Sequence, residues 1–209
     1  MSDRAPTFLY LAEDAIGVMV TDCRRARAVA ARLAERAPWL EATQGMNSVC
    51  VQFDPLQTKE ADVVSALAEA MNAPLDEDES VAPLRLKVRY GGEEGPDLKV
   101  ICGSLGLSAD EFIHLHAASA HVVEMIGFMP GFAYLSGLDP ALNVARLTTP
   151  RPRVAAGSIG ISGGYSGAYA LASPGGWPII GRAAAPLFDP SAETPLVLAP
   201  GMRVAFSPA

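Results

Sequence analysis

The chain's three histidines, His114, His116 and His121, fall within eight positions of one another. Metal ligation would need their ring nitrogens to converge. On a helix His114 and His116 point roughly 200° apart, and no HExxH or second carboxylate cluster completes a site. No metal is therefore expected. His116 shares a helical face with Phe112 and Leu115. It is either a satisfied, half-buried histidine or a site residue at the inner end of the helix, because a ring that titrates near neutrality suits both roles. The stretch ISGGYSGAY (161–169) invites a serine nucleophile. A nucleophile elbow needs G-x-S-x-G, and the frame Gly164-Tyr165-Ser166-Gly167-Ala168 fails it. A Ser–Ser–Lys amidase site would need a lysine, and none follows Lys99. No phosphate loop is present, since no glycine precedes Lys-Ser or Lys-Thr. The chain thus has no recognisable cofactor motif and is expected to hydrolyse nothing alone.

Three strings of special-backbone residues remain: FMPGFAYLSGLDP (128–140), TPRPRVAAGSIGISGG (149–164) and SPGGWPIIGR (173–182). Glycine permits close approach and positive φ, and proline fixes the turns around it. Such strings form either a turn-rich barrel with an aromatic core or a concave site suited to a small amide or carboxylate. Glycine costs conformational entropy on folding, which favours a geometric reason for so many. We therefore expect residues 128–139, 162–167 and 173–177 to meet His116 in one cavity at or near a subunit interface. His116 and Tyr134 are its candidate catalytic pair, one a neutral acceptor or proton carrier near pH 7, the other a hydroxyl. Pro130, Gly131, Phe132, Asp139, Gly163, Gly164, Tyr165, Ser166, Ser173, Gly175, Gly176 and Trp177 are its candidate substrate-binding residues.

Composition changes along the chain that must position these groups. Residues 1–90 hold two of 19 glycines but 14 of 23 acids. Residues 91–209 hold 17 glycines, 12 of 17 prolines and only 15 charged residues. Charges decorate exposed helices, while Gly and Pro serve turns and irregular strands. The reading is a small α+β domain of ferredoxin-like type at 1–75, a linker at 76–83, and a mostly β barrel domain at 84–209. The four-acid run Asp76–Glu79 between two prolines is a solvated segment that proteases should cut first.

In the first domain, Phe8–Leu11 and Ile16–Val20 read as strands around a turn at Glu13-Asp14. Asp22 caps a helix whose inner face runs Ala26, Val29, Ala30, Leu33, Ala34, Ala37. Trp39–Thr43 and Ser48–Phe53 form a hairpin, and Thr58 caps a second helix. The second domain opens on the alternating strand Leu84–Tyr90. Pro96 begins a short helix through Ile101, and Ser108 with Glu111 forms a capping box for a helix ending near Ser119.

At 209 residues and a formal net charge of −7, the chain offers no dense cationic surface for nucleic acid or an anionic membrane. Its three cysteines form no CxxC, which fits a reducing cytoplasm. Neither a secretory signal nor a membrane span is expected.

Several segments resemble one family. They are YGGEEGPDL (90–98), IHLHAAS (113–119), GFMPGFAYLSGLDP (127–140), TPRPRVAAGSIGISGG (149–164), SPGGWPIIGR (173–182) and LFDP…LAPGMRVAF (187–206). The chain resembles subunit 1 of the allophanate hydrolase family. That family includes the B subunit of bacterial 5-oxoprolinase and the KipI-type inhibitor of a sporulation histidine kinase, and related sequence forms half of the carboxyltransferase domain of urea carboxylase. The resemblance implies a cyclophilin-like barrel and a partner homologous to subunit 2. In 5-oxoprolinase members a third subunit joins them, and the complex opens the lactam 5-oxoproline to glutamate at the expense of ATP. It leaves two alternatives, a kinase-inhibiting binding module and a carboxyltransferase-like subunit acting on a urea-type substrate. Where the family usually reads AGGQTGIYP this chain reads SGGYSGAYA, with Tyr165 for the usual Gln and Ala170 for the usual Pro.

Overall fold

A computed structural model describes residues 6–36, 38–75 and 82–209. They divide into two compact units, within residues 1–79 and 80–209. Of the linker expected at 76–83, residues 76–81 lie outside the described residues, as does Ala37.

The first unit runs β1 (Phe8–Ala12), β2 (Ala15–Met19), α1 (Cys23–Ala34), β3 (Glu41–Gln44), β4 (Ser48–Gln52) and α2 (Glu60–Asn72). Its antiparallel sheet has the order β1-β2-β4-β3. Alternation puts Ile16, Val18, Val49 and Val51 on one face, where they bury with Val29 and Leu33 of α1 and Val63 and Leu67 of α2. The Asp22 carboxylate accepts the Arg25 N–H and starts α1. Three expectations need correction. Ala34 is exposed, because α1 ends there. The third strand begins at Glu41, not Trp39. Thr58 caps nothing: two turn bonds to the Asp54 carbonyl draw the chain round, its hydroxyl is buried without a partner, and α2 begins after Lys59.

The second unit comprises β5 (Leu84–Tyr90), α3 (Leu98–Leu105), α4 (Ala109–Ala118), β6 (His121–Ile126), β7 (Ala133–Ser136), β8 (Arg151–Val154), β9 (Ser158–Ser162), β10 (Tyr165–Ala168), β11 (Ser173–Gly175), β12 (Ile179–Ala183) and β13 (Arg203–Pro208). Seven strands close into a barrel in the order β10-β7-β6-β13-β5-β12-β9, while β8 and β11 pair separately. Closure leaves the barrel no free strand edge. Parallel pairing of β13 with β5 joins the two ends of the unit, and the other barrel pairs are antiparallel. The capping box at Ser108 and Glu111 forms as expected and starts α4. Pro96 does not begin α3, which starts one residue after Asp97. The Asp97 carboxylate instead accepts the Ile179 N–H at 2.6 Å and pairs with Arg151 at 2.7 Å, tying the α3 entrance to β12 and β8.

Candidate functional site

Strand parity sorts the expected site residues onto two sides of the barrel wall. On β7, Ala133 and Leu135 join the large inner core, whereas Tyr134 and the preceding Phe132 join a separate aromatic cluster. On β10, Ala168 belongs to the inner core, and Tyr165 packs with the aromatics. Ser166 alternates inward with Ala168 and is fully buried.

Inside, the His116 ring bridges Tyr90 Oη at 2.7 Å through Nδ1 and Ser166 Oγ at 3.0 Å through Nε2. Tyr90 is on β5 and Ser166 on β10, at least three strands apart around the closed ring. A side chain touching both must lie in the lumen. Phe206 stacks on His116 at 4.7 Å, and His121 lies 5.0 Å away. Burial, with a smaller effect of His121, holds the His116 pKa well below its ordinary value. Burial likewise pushes the Tyr90 hydroxyl far up. His121 is lowered by burial too, although the carbonyls of His116 and Ser136 oppose the change. His116 is thus a satisfied neutral core histidine, and the expectation of a proton carrier near pH 7 is corrected. His114 is exposed.

On the outer side, Phe132 packs edge-to-face with Tyr134 at 4.7 Å, Tyr169 at 4.7 Å and Trp177 at 5.6 Å. Gly167 makes this floor possible, since a Cβ there would come within 2.7 Å of Phe132 and 2.8 Å of Trp177. Phe128 stacks edge-to-face on Phe132 at 5.6 Å, and the Arg146 guanidinium lies 5.9 Å from the Trp177 ring centroid. Burial raises the pKa of the half-buried Tyr134 hydroxyl, and the charge of Arg146 opposes that rise.

The fourteen expected residues therefore do not share one cavity. Phe132, Tyr134, Tyr165 and Trp177 do come together. His116 and Ser166 meet each other on the far side of the wall. Gly163 and Gly164, at φ 58° and 82°, form the open turn between β9 and β10 and are needed for its handedness. Gly131 (φ 77°) closes the loop before β7, and Pro130 is exposed on it. Gly175 lets the strand pass the Tyr169 hydroxyl, and the Gly176 carbonyl accepts the Leu147 N–H. Ser173 bonds the neighbouring Pro174 carbonyl. Asp139 caps the 3-10 turn Pro140–Leu142, and its N–H donates to Ser119 at the end of α4. Sequence reasoning placed Phe128 within a site string but missed Tyr90 and Arg146. The first hides in a regular strand, and the second lies in a loop between two of the strings.

Among the described residues no group of three or more His, Cys, Asp or Glu could hold a metal ion, and no helix is long and apolar enough to cross a membrane. Comparison with known proteins finds the B subunit of 5-oxoprolinase from Escherichia coli O157:H7, 38% identical over 195 residues, 91% of this chain and 88% of that protein. The crystal structure of TTHA0988 superposes with a TM-score of 0.81 at 33% identity, covering 93% of this chain, which spans only 40% of that one. The Kluyveromyces lactis urea carboxylase, at 19% identity and a TM-score of 0.77 over 98% of this chain and 22% of its own, shares the fold. Residues 6–198 match the family described as the carboxyltransferase domain, subdomain C and D, and the chain belongs to that family.

Proposed function

We propose that the chain is one subunit of a heteromeric, ATP-dependent 5-oxoprolinase, or of a closely similar complex that opens a small lactam or amide. The observation that carries this reading is the near full-length similarity to the B subunit of the Escherichia coli 5-oxoprolinase. Its first unit is taken as ferredoxin-like, with the edge strand supplied by β1 ahead of β2, and its barrel as cyclophilin-like. The partners are a subunit 2 homologue and a third subunit, and the assembled complex uses ATP and works in the cytoplasm. Within this chain the substrate faces the outer aromatic cluster of Phe132, Tyr134, Tyr165 and Trp177, and the lumen around His116 holds the wall in shape. Tagged chain purified from its own cells should bring down both partners, and that preparation should convert 5-oxoproline to glutamate only with ATP. Co-purification of a histidine kinase in their place, without turnover, would overturn the proposal.

A further inference from the structure

The aromatic floor carries two features that its own packing does not require. The first is Arg146. The loop that bears it is fastened on both flanks: the Val144 carbonyl accepts Gly163 N–H and Ser162 Oγ–H, and Leu147 N–H donates to the Gly176 carbonyl at 2.7 Å. These bonds hold Arg146 between the β9–β10 turn and the residue before Trp177, with its guanidinium over the indole. Arg146 is exposed and has no carboxylate partner among the described residues. The surrounding sequence 145–154 holds three arginines and no acid, within a chain of net charge −7. The second feature is Phe128. It is the one non-glycine described at positive φ, 68°, yet its side chain is 64% exposed. A bulky residue kept in that region costs energy, and so exposed a ring recovers little of it by burial.

Resting on the functional reading above, we propose that Arg146 and Phe128 form with Trp177 and Tyr134 a recognition site for a small carboxylate borne on a compact, weakly polar ring. Arg146 takes the carboxylate through its free N–H groups, where a charge-assisted and bidentate pair is strongest. The exposed Phe128 ring packs on a face of the ligand ring, the buried Trp177 indole backs the guanidinium from beneath, and the Tyr134 hydroxyl, bonded to nothing described in the chain, meets a carbonyl or ring N–H. A lactam acid such as 5-oxoproline has all three parts.

The test titrates the full chain, carrying Trp39→Phe so that Trp177 supplies the only indole N–H resonance, with 5-oxoproline and with two fragments of it. Those are 2-pyrrolidinone, which lacks the carboxylate, and acetate, which lacks the ring. We expect 5-oxoproline to perturb the Trp177 signal at concentrations about tenfold or more below either fragment. Arg146→Ala should make 5-oxoproline behave like 2-pyrrolidinone. Phe128→Gly should weaken 5-oxoproline binding without lowering Tm, because glycine accepts φ 68° freely. Equal responses to 5-oxoproline and 2-pyrrolidinone, no response to 5-oxoproline, or an Arg146→Ala titration like that of the parent would each overturn the inference. In the assembled complex, Arg146→Ala should raise KM for 5-oxoproline more than it lowers kcat. An active complex with KM unmoved by Arg146→Ala defeats the inference and spares the functional reading. A complex inactive on 5-oxoproline, beside an Arg146-dependent response at Trp177, defeats the functional reading and spares the inference.

Discussion

His116 and Tyr134 began as one candidate pair, and the wall between them assigns them opposite behaviour under mutation. Truncating His116 opens a void beside Phe206 and leaves the Tyr90 and Ser166 hydroxyls without their shared partner. His116→Ala should therefore cost about 2–5 kcal/mol, read as a lower Tm, with turnover per folded complex unchanged. Tyr134→Phe removes a half-buried hydroxyl and keeps the ring on Phe132, so Tm should hold while activity of the complex falls about tenfold. The reverse pattern would return the chemistry to the lumen. Protonation gives a second residue-scale test. Both His116 and His121 have pKa values lowered by burial from the ordinary 6.5. The unfolded chain then binds protons that the folded one refuses, so their stabilisation is complete above pH 6.5 and is lost as pH falls below it. Tm should decline from pH 6.5 towards 5, above the range in which Glu111 and Asp189 titrate. His116→Gln should flatten that decline, and an unchanged slope would show that His116 does not carry it.

Two glycines of one hairpin separate turn geometry from packing at the level of elements. Gly163→Ala meets open space and should cost only the left-handed backbone penalty, about 1–2 kcal/mol. Gly167→Ala drives a methyl into Phe132 and Trp177; it should cost about 1–3 kcal/mol and change the near-UV circular dichroism of the aromatic cluster, which Gly163→Ala should leave alone. Equal spectra for the two variants would mean that the rings do not rest on the β10 backbone. The same strands show what could be read from the chain and what could not. Period-two alternation announced β5, the Ser108–Glu111 spacing announced the start of α4, and Asp22 announced α1, because each signal is local. Parity relative to a closed wall is not local. Tyr134 and Leu135 are neighbours in sequence but face opposite sides, and only pairing of Gly167 with Tyr134 and Ser166 with Leu135 reveals which side is the lumen. The bond from His116 to Ser166 spans 50 residues, and no spacing rule reaches that far.

For the molecule as a whole, the placement of Ser166 decides whether the chain could act unaided. A serine hydroxyl 3.0 Å from a histidine nitrogen is the contact from which hydrolases build a nucleophile. Here it is sealed: Ser166 and His116 are both 0% exposed, and the dyad's other neighbour is Tyr90 rather than a carboxylate. No substrate carbonyl can approach Ser166 unless the barrel opens, which would break the β10 pairings to β7 and β9 together. The outer side instead offers the exposed Arg146 and Phe128 and the part-buried Tyr134 and Tyr165 over a buried aromatic floor, groups that hold a ligand but do not attack it. Under the proposed function, a lactam bound there is opened only with ATP and with groups from another chain of the complex. The isolated protein should accordingly show no ATP-dependent or ATP-independent opening of 5-oxoproline above background, and Ser166→Ala in the assembled complex should leave turnover per folded complex unchanged while lowering Tm. Turnover by the isolated chain that disappears in Ser166→Ala would mean that the lumen opens after all, and that the catalytic face of this barrel is its inner one.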